Sequence, residues 1–239
     1  MARKTPPDRL SHLVACATKV FIDQGYRRTQ MDDVAAALGV AKGTLYLYVE
    51  SKEALFDLVI RRADEEPPFP PLAHLPLPTP EPGATLDYVR ERLARNQTLP
   101  TLTAALARQR VKDARAELAL ILEELYDTLA RNRHGIKLLD RSAHDQPELA
   151  ALWFDSARGG LIATFTHYLK TRMDRKRLRP LPDAAVVARL IIETIAFWAV
   201  HRHWDPRPQV VDDTVARDTV ARDTVIQFLL NALTMKEDL

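Results

Sequence analysis

The chain has 239 residues, 46% of them hydrophobic and 28% charged, with a formal net charge of +2. That is the composition of an ordinary globular protein with room for a good core and a small second domain. It excludes a collagen-like, low-complexity or disulfide-built chain. The one cysteine, Cys16, cannot form an internal disulfide and reads as a half-buried structural thiol. Residues 1–62 hold 10 Lys+Arg against 7 Asp+Glu, and the remainder 24 against 25. A weakly basic head on a neutral body is compatible with phosphate binding, although solvated helix faces produce the same balance. The opening MARKTPPDRLSH has no apolar centre and does not read as a signal peptide, and Ala184 to Val200 is interrupted by Arg189 and Glu193, so no membrane span is expected. The expected location is cytoplasmic.

Ala2-Arg3-Lys4 reads as a short basic arm. Pro6-Pro7-Asp8 opens a first helix, with Asp8 as cap and Leu10, Leu13, Val14, Ala17, Val20 and Phe21 as its buried stripe. Gly25 ends it. Thr29 is placed to cap a second helix carrying Met31, Val34, Ala35 and Leu38 inward, which Gly39 terminates. After Val40 and Ala41, a third short helix is expected over Lys42 to Val49, with Leu45 and Val49 inward, and Ser51 caps a fourth with Leu55, Leu58 and Val59 inward. Two helices meeting across a short glycine turn form the helix-turn-helix arrangement, whose second helix fits a DNA major groove. The same pattern also serves helical hairpins that only fill a core.

Residues 67–82, PPFPPLAHLPLPTPEP, contain eight of the sixteen prolines and are expected to run extended as a linker over 63–83; a docking ligand of the PxxP kind is the alternative. From Ala84 onward the chain reads as helical. Leu118, Leu122, Leu125, Leu129, Ile136 and Leu139 mark one long amphipathic element. The helix from about Glu148 to Lys176 carries two stripes, Phe154, Ala157, Leu161, Phe165, Tyr168 and Leu169 on one face, and Leu152, Ser156, Gly159, Gly160 and Ala163 on another. The next, capped by Asp183, is also apolar on two sides: Ala184, Val187, Ala188, Ile191, Ile195, Trp198 and Ala199, then Val186, Leu190, Phe197, Val200 and Trp204. Pro206 and Pro208 follow it. Helices with two buriable faces suit a two-fold four-helix interface between copies, with a single larger core as the alternative. The candidate interface is Ser156, Gly159, Gly160, Ala163, Ile191, Ile195 and Trp198. The repeat DTVARDTVARDTV (213–225) advances a helix by about 140° net per five residues, so its valines do not stack on one face, and packing falls to Val225, Phe228, Leu229 and Leu233.

No nucleophile elbow, phosphate-cradling glycine loop or metal spacing occurs. His201 and His203 stand on different helix faces, and the carboxylates read as solvated, so no residue set argues for an enzyme, a cofactor or a metal. Tyr126, Trp153, Phe165, Tyr168, Phe197 and Trp198 could line an apolar cavity with Glu193 as polar anchor; a half-exposed Glu193–Arg189 pair is the plainer reading.

The frame Gly25-Tyr26 followed by GVAKGTLYLYVESKEAL resembles the DNA-binding head of the tetracycline-repressor (TetR) family of bacterial one-component regulators, over about residues 8 to 62. Ala41 stands where the family usually has Ser, and Val49 where it usually has Phe. The resemblance implies an all-α protein: a helix-turn-helix head (1–62) and a C-terminal helical bundle (84–239) for ligand binding and dimerisation. It implies DNA phosphate contacts from Thr29, Tyr46 and Lys52, groove contacts from Lys42, Thr44, Leu47 and Tyr48, and places Gln30 and Gly43 at the same surface. The implied partners are an operator duplex, a second copy and a small-molecule effector in the body. Other readings are a ligand-independent regulator or activator, and a helical-bundle enzyme or sensor whose head is only structural.

Overall fold

The computed structural model describes residues 7–70, 72, 74–96, 99–206 and 215–235, without the side chains of 7, 8, 96 and 215–217. The basic arm, the Asp8 cap, Pro208 and the start of the DTVAR repeat lie outside this set. The helices are α1 (Pro7–Gln24), α2 (Met31–Leu38), α3 (Lys42–Leu45), α4 (Lys52–Arg62), α5 (Ala84–Asn96), α6 (Pro100–Ala107), α7 (Ala114–Arg131), α8 (Arg133–Ala143), α9 (Pro147–Ala150), α10 (Gly159–Asp174), α11 (Ala184–Ala199) and α12 (Val215–Leu233). A wide π-type stretch, Ala151–Arg158, joins α9 to α10, and a 3-10 turn, His201–Trp204, follows α11. Among the described residues the one β element is an isolated parallel bridge between Val49 and Leu77, so the fold is all-α. No helix among them is long and apolar enough to cross a membrane.

Two compact units divide the chain: Met1–Arg92 with His134–Trp153, and Leu93–Arg133 with Phe154–Leu239. The first unit is therefore larger than the 62-residue head, taking in the proline-rich segment, the start of α5, and α8 and α9. Its core is the α1 stripe foreseen from the sequence, with Leu13, Ala17 and Phe21 fully buried. Against it lies α4, where Ala54, Leu55, Phe56, Leu58, Val59 and Ile60 are all buried. A helix buried on so many sides needs partners all round. Phe56 sits edge-on to Phe21 and Tyr26, at centroid distances of 5.2 and 4.8 Å.

Three departures from the sequence reading have physical causes. The long element expected across 118–139 is broken at Asn132. Its amide Nδ2 caps the Thr128 carbonyl at 2.9 Å, while the Asp64 carboxylate, on the turn after α4, accepts the backbone N–H groups of His134 (2.9 Å) and Gly135 (3.0 Å). An acceptor carboxylate over fresh N–H groups is what starts a helix, so α8 begins there. Arg92 holds the same Asp64 at 2.6 Å, and glycine at 135 gives the carboxylate room, since a Cβ would stand 2.5 Å from Asp64 Oδ2. Second, the described residues of the proline-rich segment are non-helical but bend at 67, 68 and 74–76 rather than running straight, and the segment is not a free linker: Phe69 is buried, and Leu77 is bonded by its backbone to both sides of Val49. Third, Phe228 is 68% exposed, and α12 packs through Val225, Ile226, Leu229, Leu230 and Leu233 instead.

In the second unit α10 packs along α11, and α7 along α11 and α12. Two carboxylates are far from the solvated state expected of them: Asp64 in the first unit, and Glu117, which is 7% exposed and bound at 2.8 Å to the fully buried Arg172. Arg172 occupies the next position on the α10 stripe after Phe165, Tyr168 and Leu169, so the core there is polar at its end. The repeat in α12 carries ion pairs: Arg222 grips Asp127 at 2.7 and 3.0 Å, and Asp218 pairs with Arg202 and Arg133.

Candidate nucleic-acid interface

The turn between α2 and α3 forms as its residues require. Gly39 adopts φ +72°, ψ 32°, its N–H and that of Val40 returning to Ala36 and Ala35 at 3.1 and 3.0 Å. This left-handed cap satisfies the last carbonyls of α2 and is cheap only for glycine. Leu45 and Val49 point into the core at 0% exposure, leaving the opposite side of 42–47 to solvent.

The second helix of the pair is shorter than expected. α3 ends at Leu45, and residues 46–48 continue only as turns, with Leu47 bonded to Thr44 and Tyr48 to Leu45. Ala41 offers no side chain to cap its start, so a four-residue helix has little of its own to hold it.

The start of α2 also differs. Thr29 is not its cap: the residue is fully buried and its hydroxyl donates to the Gly25 carbonyl at 2.7 Å. Gln30 takes the cap position, and its N–H is received by the Asp33 carboxylate at 2.8 Å.

These facts sort the nine candidate DNA-facing residues. Gln30, Lys42 and Gly43 are exposed, Thr44 is half-buried, and Tyr46 and Leu47 are 41% and 66% exposed. Three are committed inside the head. Thr29 is as above. Tyr48 is buried, only 8% exposed, because its backbone turns inward ahead of Val49. The Lys52 ammonium donates to the carbonyls of Tyr26 (3.0 Å) and Thr29 (3.1 Å), lies 3.4 Å from that of Arg27, and stands 4.6 Å over the Tyr26 ring. Lys52 thus fastens the start of α4 to the loop after α1. Substituting Tyr48 or Lys52 perturbs folding together with any binding, whereas Lys42 and Tyr46 separate the two.

The electrostatics are local. The Lys42 ammonium meets Asp32 at 2.8 Å on the open surface, and that hydrogen bond raises its pKa. A nucleic-acid phosphate would exchange for a solvated carboxylate there. Burial, with help from Glu53, pushes the Tyr26 phenol well above its usual value. The Glu53 carboxyl is held low by its own backbone N–H, then by the Tyr26 and Ser51 hydroxyls and the Lys52 charge. Arg27 and Arg28, both exposed beside Gln30, extend the basic character of this face. The doublet in the sequence was the available signal for them.

The candidates for a ligand site do not come together in the same way. Trp153 belongs to the first compact unit and the other six to the second. Phe165 and Tyr168 are fully buried, Tyr168 donating to Glu117 at 3.2 Å, and Tyr126 is buried with its hydroxyl 3.4 Å from the Trp198 carbonyl. Phe197 is 45% exposed and edge-on to Trp198. Glu193 pairs with Arg158 and, at 3.6 Å, with Arg189, so its charge is spent on two arginines.

Of the candidate interface residues, Ile191 and Ile195 are buried in their own unit (1% and 0%) and have no surface to give a second copy. Trp198 is half-buried. Ser156, Gly160 and Ala163 are exposed and Gly159 half-buried; on α11 the large apolar groups Val186, Leu190 and Phe197 are 55%, 60% and 45% exposed.

Residues 13–59 match the model of the family described as bacterial regulatory proteins, tetR family. The chain is 40% identical over 73 residues to the uncharacterized HTH-type transcriptional regulator YhgD of Bacillus subtilis, covering 26% of this chain and 38% of that one. It is 38% identical over 55 residues to the HTH-type transcriptional activator FasR of Mycolicibacterium smegmatis, covering 23% of this chain and 25% of that one. The chain thus spans well under half the length of these curated relatives. Its fold is similar to that of the ketosteroid transcriptional regulator KstR2 of Mycobacterium tuberculosis, with a TM-score of 0.55 at 15% identity over 99% of this chain and 100% of that one. With the glycine-turned pair α2–α3 inside the matched residues, the head of this protein is that of the tetR family of bacterial regulatory proteins, and the all-helical chain behind it is similar in fold to KstR2.

Proposed function

We propose that this protein is a homodimeric, DNA-binding transcriptional regulator, a repressor that leaves its operator when a small, largely apolar molecule occupies the helical body (84–239). The observation that carries the DNA-binding part is the one-sided α2–α3 pair. Leu45 and Val49 anchor it from within, and Gln30, Lys42, Gly43, Tyr46 and Leu47 stand together toward solvent. Donors and an amphipathic phenol on a convex turn suit base edges and phosphates in a major groove. Pairing of two copies is supported by the exposed apolar row Val186, Leu190 and Phe197, since large groups in a row on one helix seek a partner surface. Two heads on one face of a duplex stand about 34–36 Å apart or a further whole turn. The effector reading is supported by the TetR-like head and the aromatic content of the body, where Tyr126, Phe165, Tyr168 and Trp198 are the candidates to test.

Selection of duplexes from a random library by the full chain tests this reading. A pseudo-palindrome should be enriched, and Lys42→Ala should lose affinity for it while keeping the helical circular-dichroism signal and melting temperature. No enrichment would sink the reading. A reporter fused to the selected site distinguishes repressor from activator.

A further inference from the structure

The proline-rich segment does something at the recognition turn that its composition does not announce. Among the described residues Leu77 makes two backbone hydrogen bonds: its N–H donates to the Tyr48 carbonyl at 2.8 Å, and its carbonyl accepts from the Glu50 N–H at 2.9 Å. They flank Val49 and form the parallel bridge. Two residues on, the Thr79 N–H reaches the Glu50 carboxylate at 3.2 Å, and the Thr79 hydroxyl donates to Ser51 Oγ at 2.8 Å. Ser51 Oγ in turn accepts the Ala54 N–H at 3.1 Å and so caps α4. Four hydrogen bonds from one short extended stretch therefore hold residues 48–51, the piece of chain joining the recognition turn to α4.

That piece needs holding. α3 has four residues and no capping side chain; the Tyr48 and Val49 N–H groups return to the Leu45 carbonyl, but the Tyr48 carbonyl and the Glu50 N–H are met by Leu77 rather than within the turn. Leu47 and Tyr46, the most exposed apolar groups of the recognition turn, lie one and two residues before Tyr48, whose carbonyl Leu77 holds. A short helix fixed at its far end by an external strand keeps its side chains in register; released, it shares its few bonds with water. Prolines suit the task because an extended stretch with few rotatable φ angles is already in the conformation that binds.

We infer that Leu77 and Thr79 are positioning residues for DNA recognition: the segment around them is a strap that sets the recognition turn, and through it the preference for one duplex sequence over another. This rests on the DNA-binding reading above. The strap touches no base and adds no positive charge; it acts through residues 48–51.

The test uses the full chain and two DNA duplexes, the one that wild type selects and a random one of equal length. Leu77→Pro removes the N–H that meets Tyr48, Thr79→Val removes the hydroxyl at equal size, and Thr79→Ser restores it. Leu77→Pro should lower affinity for the selected duplex about tenfold and Thr79→Val about threefold, the order expected for lost single hydrogen bonds. Affinity for the random duplex and the slope of affinity against salt should stay at wild type, because no phosphate contact is removed. Thr79→Ser should recover the selected affinity. A folded Leu77→Pro with a wild-type ratio of selected to random affinity overturns the inference, as does a parallel loss on both duplexes. Should Leu77→Pro not fold, the threonine pair decides: equal ratios for Thr79→Val and Thr79→Ser overturn it. Failure of wild type to select any sequence instead removes the DNA-binding reading.

Discussion

Replacing Arg172 with Met takes a fully buried guanidinium from the second unit while keeping most of its volume. Arg172 Nε lies 2.8 Å from Glu117 Oε1, and Nη2 lies 2.6 Å from the Ala105 carbonyl. Glu117, itself 7% exposed, would be left with the Tyr168 hydroxyl at 3.2 Å as its remaining donor among the described contacts. An uncompensated buried charge typically costs about 3–5 kcal/mol. For a chain of this size that lowers the melting temperature by roughly 6–20 °C. The companion variant Glu117→Leu should cost a similar amount by stranding Arg172. In the double variant neither charge is stranded; the Ala105 carbonyl keeps the Arg108 N–H at 3.1 Å, and what remains is mainly the Tyr168 hydroxyl without its acceptor, on the order of 1–2 kcal/mol. The cycle should therefore be strongly non-additive, the double variant being more stable than either single one. Circular-dichroism melts and urea titrations of the four proteins measure this. A cost below about 1 kcal/mol for Arg172→Met, or simple addition of the two single costs, would show that the pair is not a closed buried unit and refute the reasoning.

Gly135→Ala places a methyl 2.5 Å from Asp64 Oδ2, which Arg92 and two N–H groups already hold, and should cost about 1–3 kcal/mol; an unchanged melt would contradict the packing at the start of α8. Gly25 and Gly39 both have positive φ, but a Cβ at Gly25 meets Asp145 Oδ2 at 2.9 Å and one at Gly39 meets nothing within 4 Å. Gly39→Ala should thus cost about 1–2 kcal/mol from backbone strain alone and Gly25→Ala clearly more, read from paired melts. Gly43 has ordinary helical backbone and open space around it, so Gly43→Ala should leave the melt unchanged or raise stability by about 0.5–1 kcal/mol while weakening binding to the selected duplex if DNA backbone comes close there. Burial first, with Glu53 and Glu117 adding to it, raises the phenols of Tyr26 and Tyr168, and burial raises Tyr126. With folded-state values above the unfolded one near 10, these groups stabilise the fold fully below about pH 10 and lose that contribution as pH rises through their folded values. Titration of tyrosinate absorbance should show three of the six tyrosines ionising late and together with unfolding; six independent ionisations near pH 10 would refute it.

Much of this protein could be read along the chain. The α1 stripe from Leu10 to Phe21 is periodic, Gly39 stands where only a left-handed cap continues the path, and Ser51 and Asp183 cap the helices their spacing announces. Such features are local: a residue and its neighbours within a turn or two decide them, so they survive without knowledge of the partner. The family resemblance depends on the same short-range pattern and stops where that pattern stops. Tertiary structure decided what depends on a residue far away in sequence. Tyr48, Thr29 and Lys52 looked like surface donors until the 25–29 loop and the inward turn of residues 48–49 absorbed them. A continuous apolar period across 118–139 could not reveal Asp64 waiting to start a new helix at Arg133. Glu117 and Arg172 are ordinary surface residues by type, and only their 55-residue contact explains their burial. The proline-rich segment shows the division most clearly: its prolines determined that it would not be helical, and the Tyr48 carbonyl and Glu50 N–H on either side of Val49 determined what Leu77 would pair with.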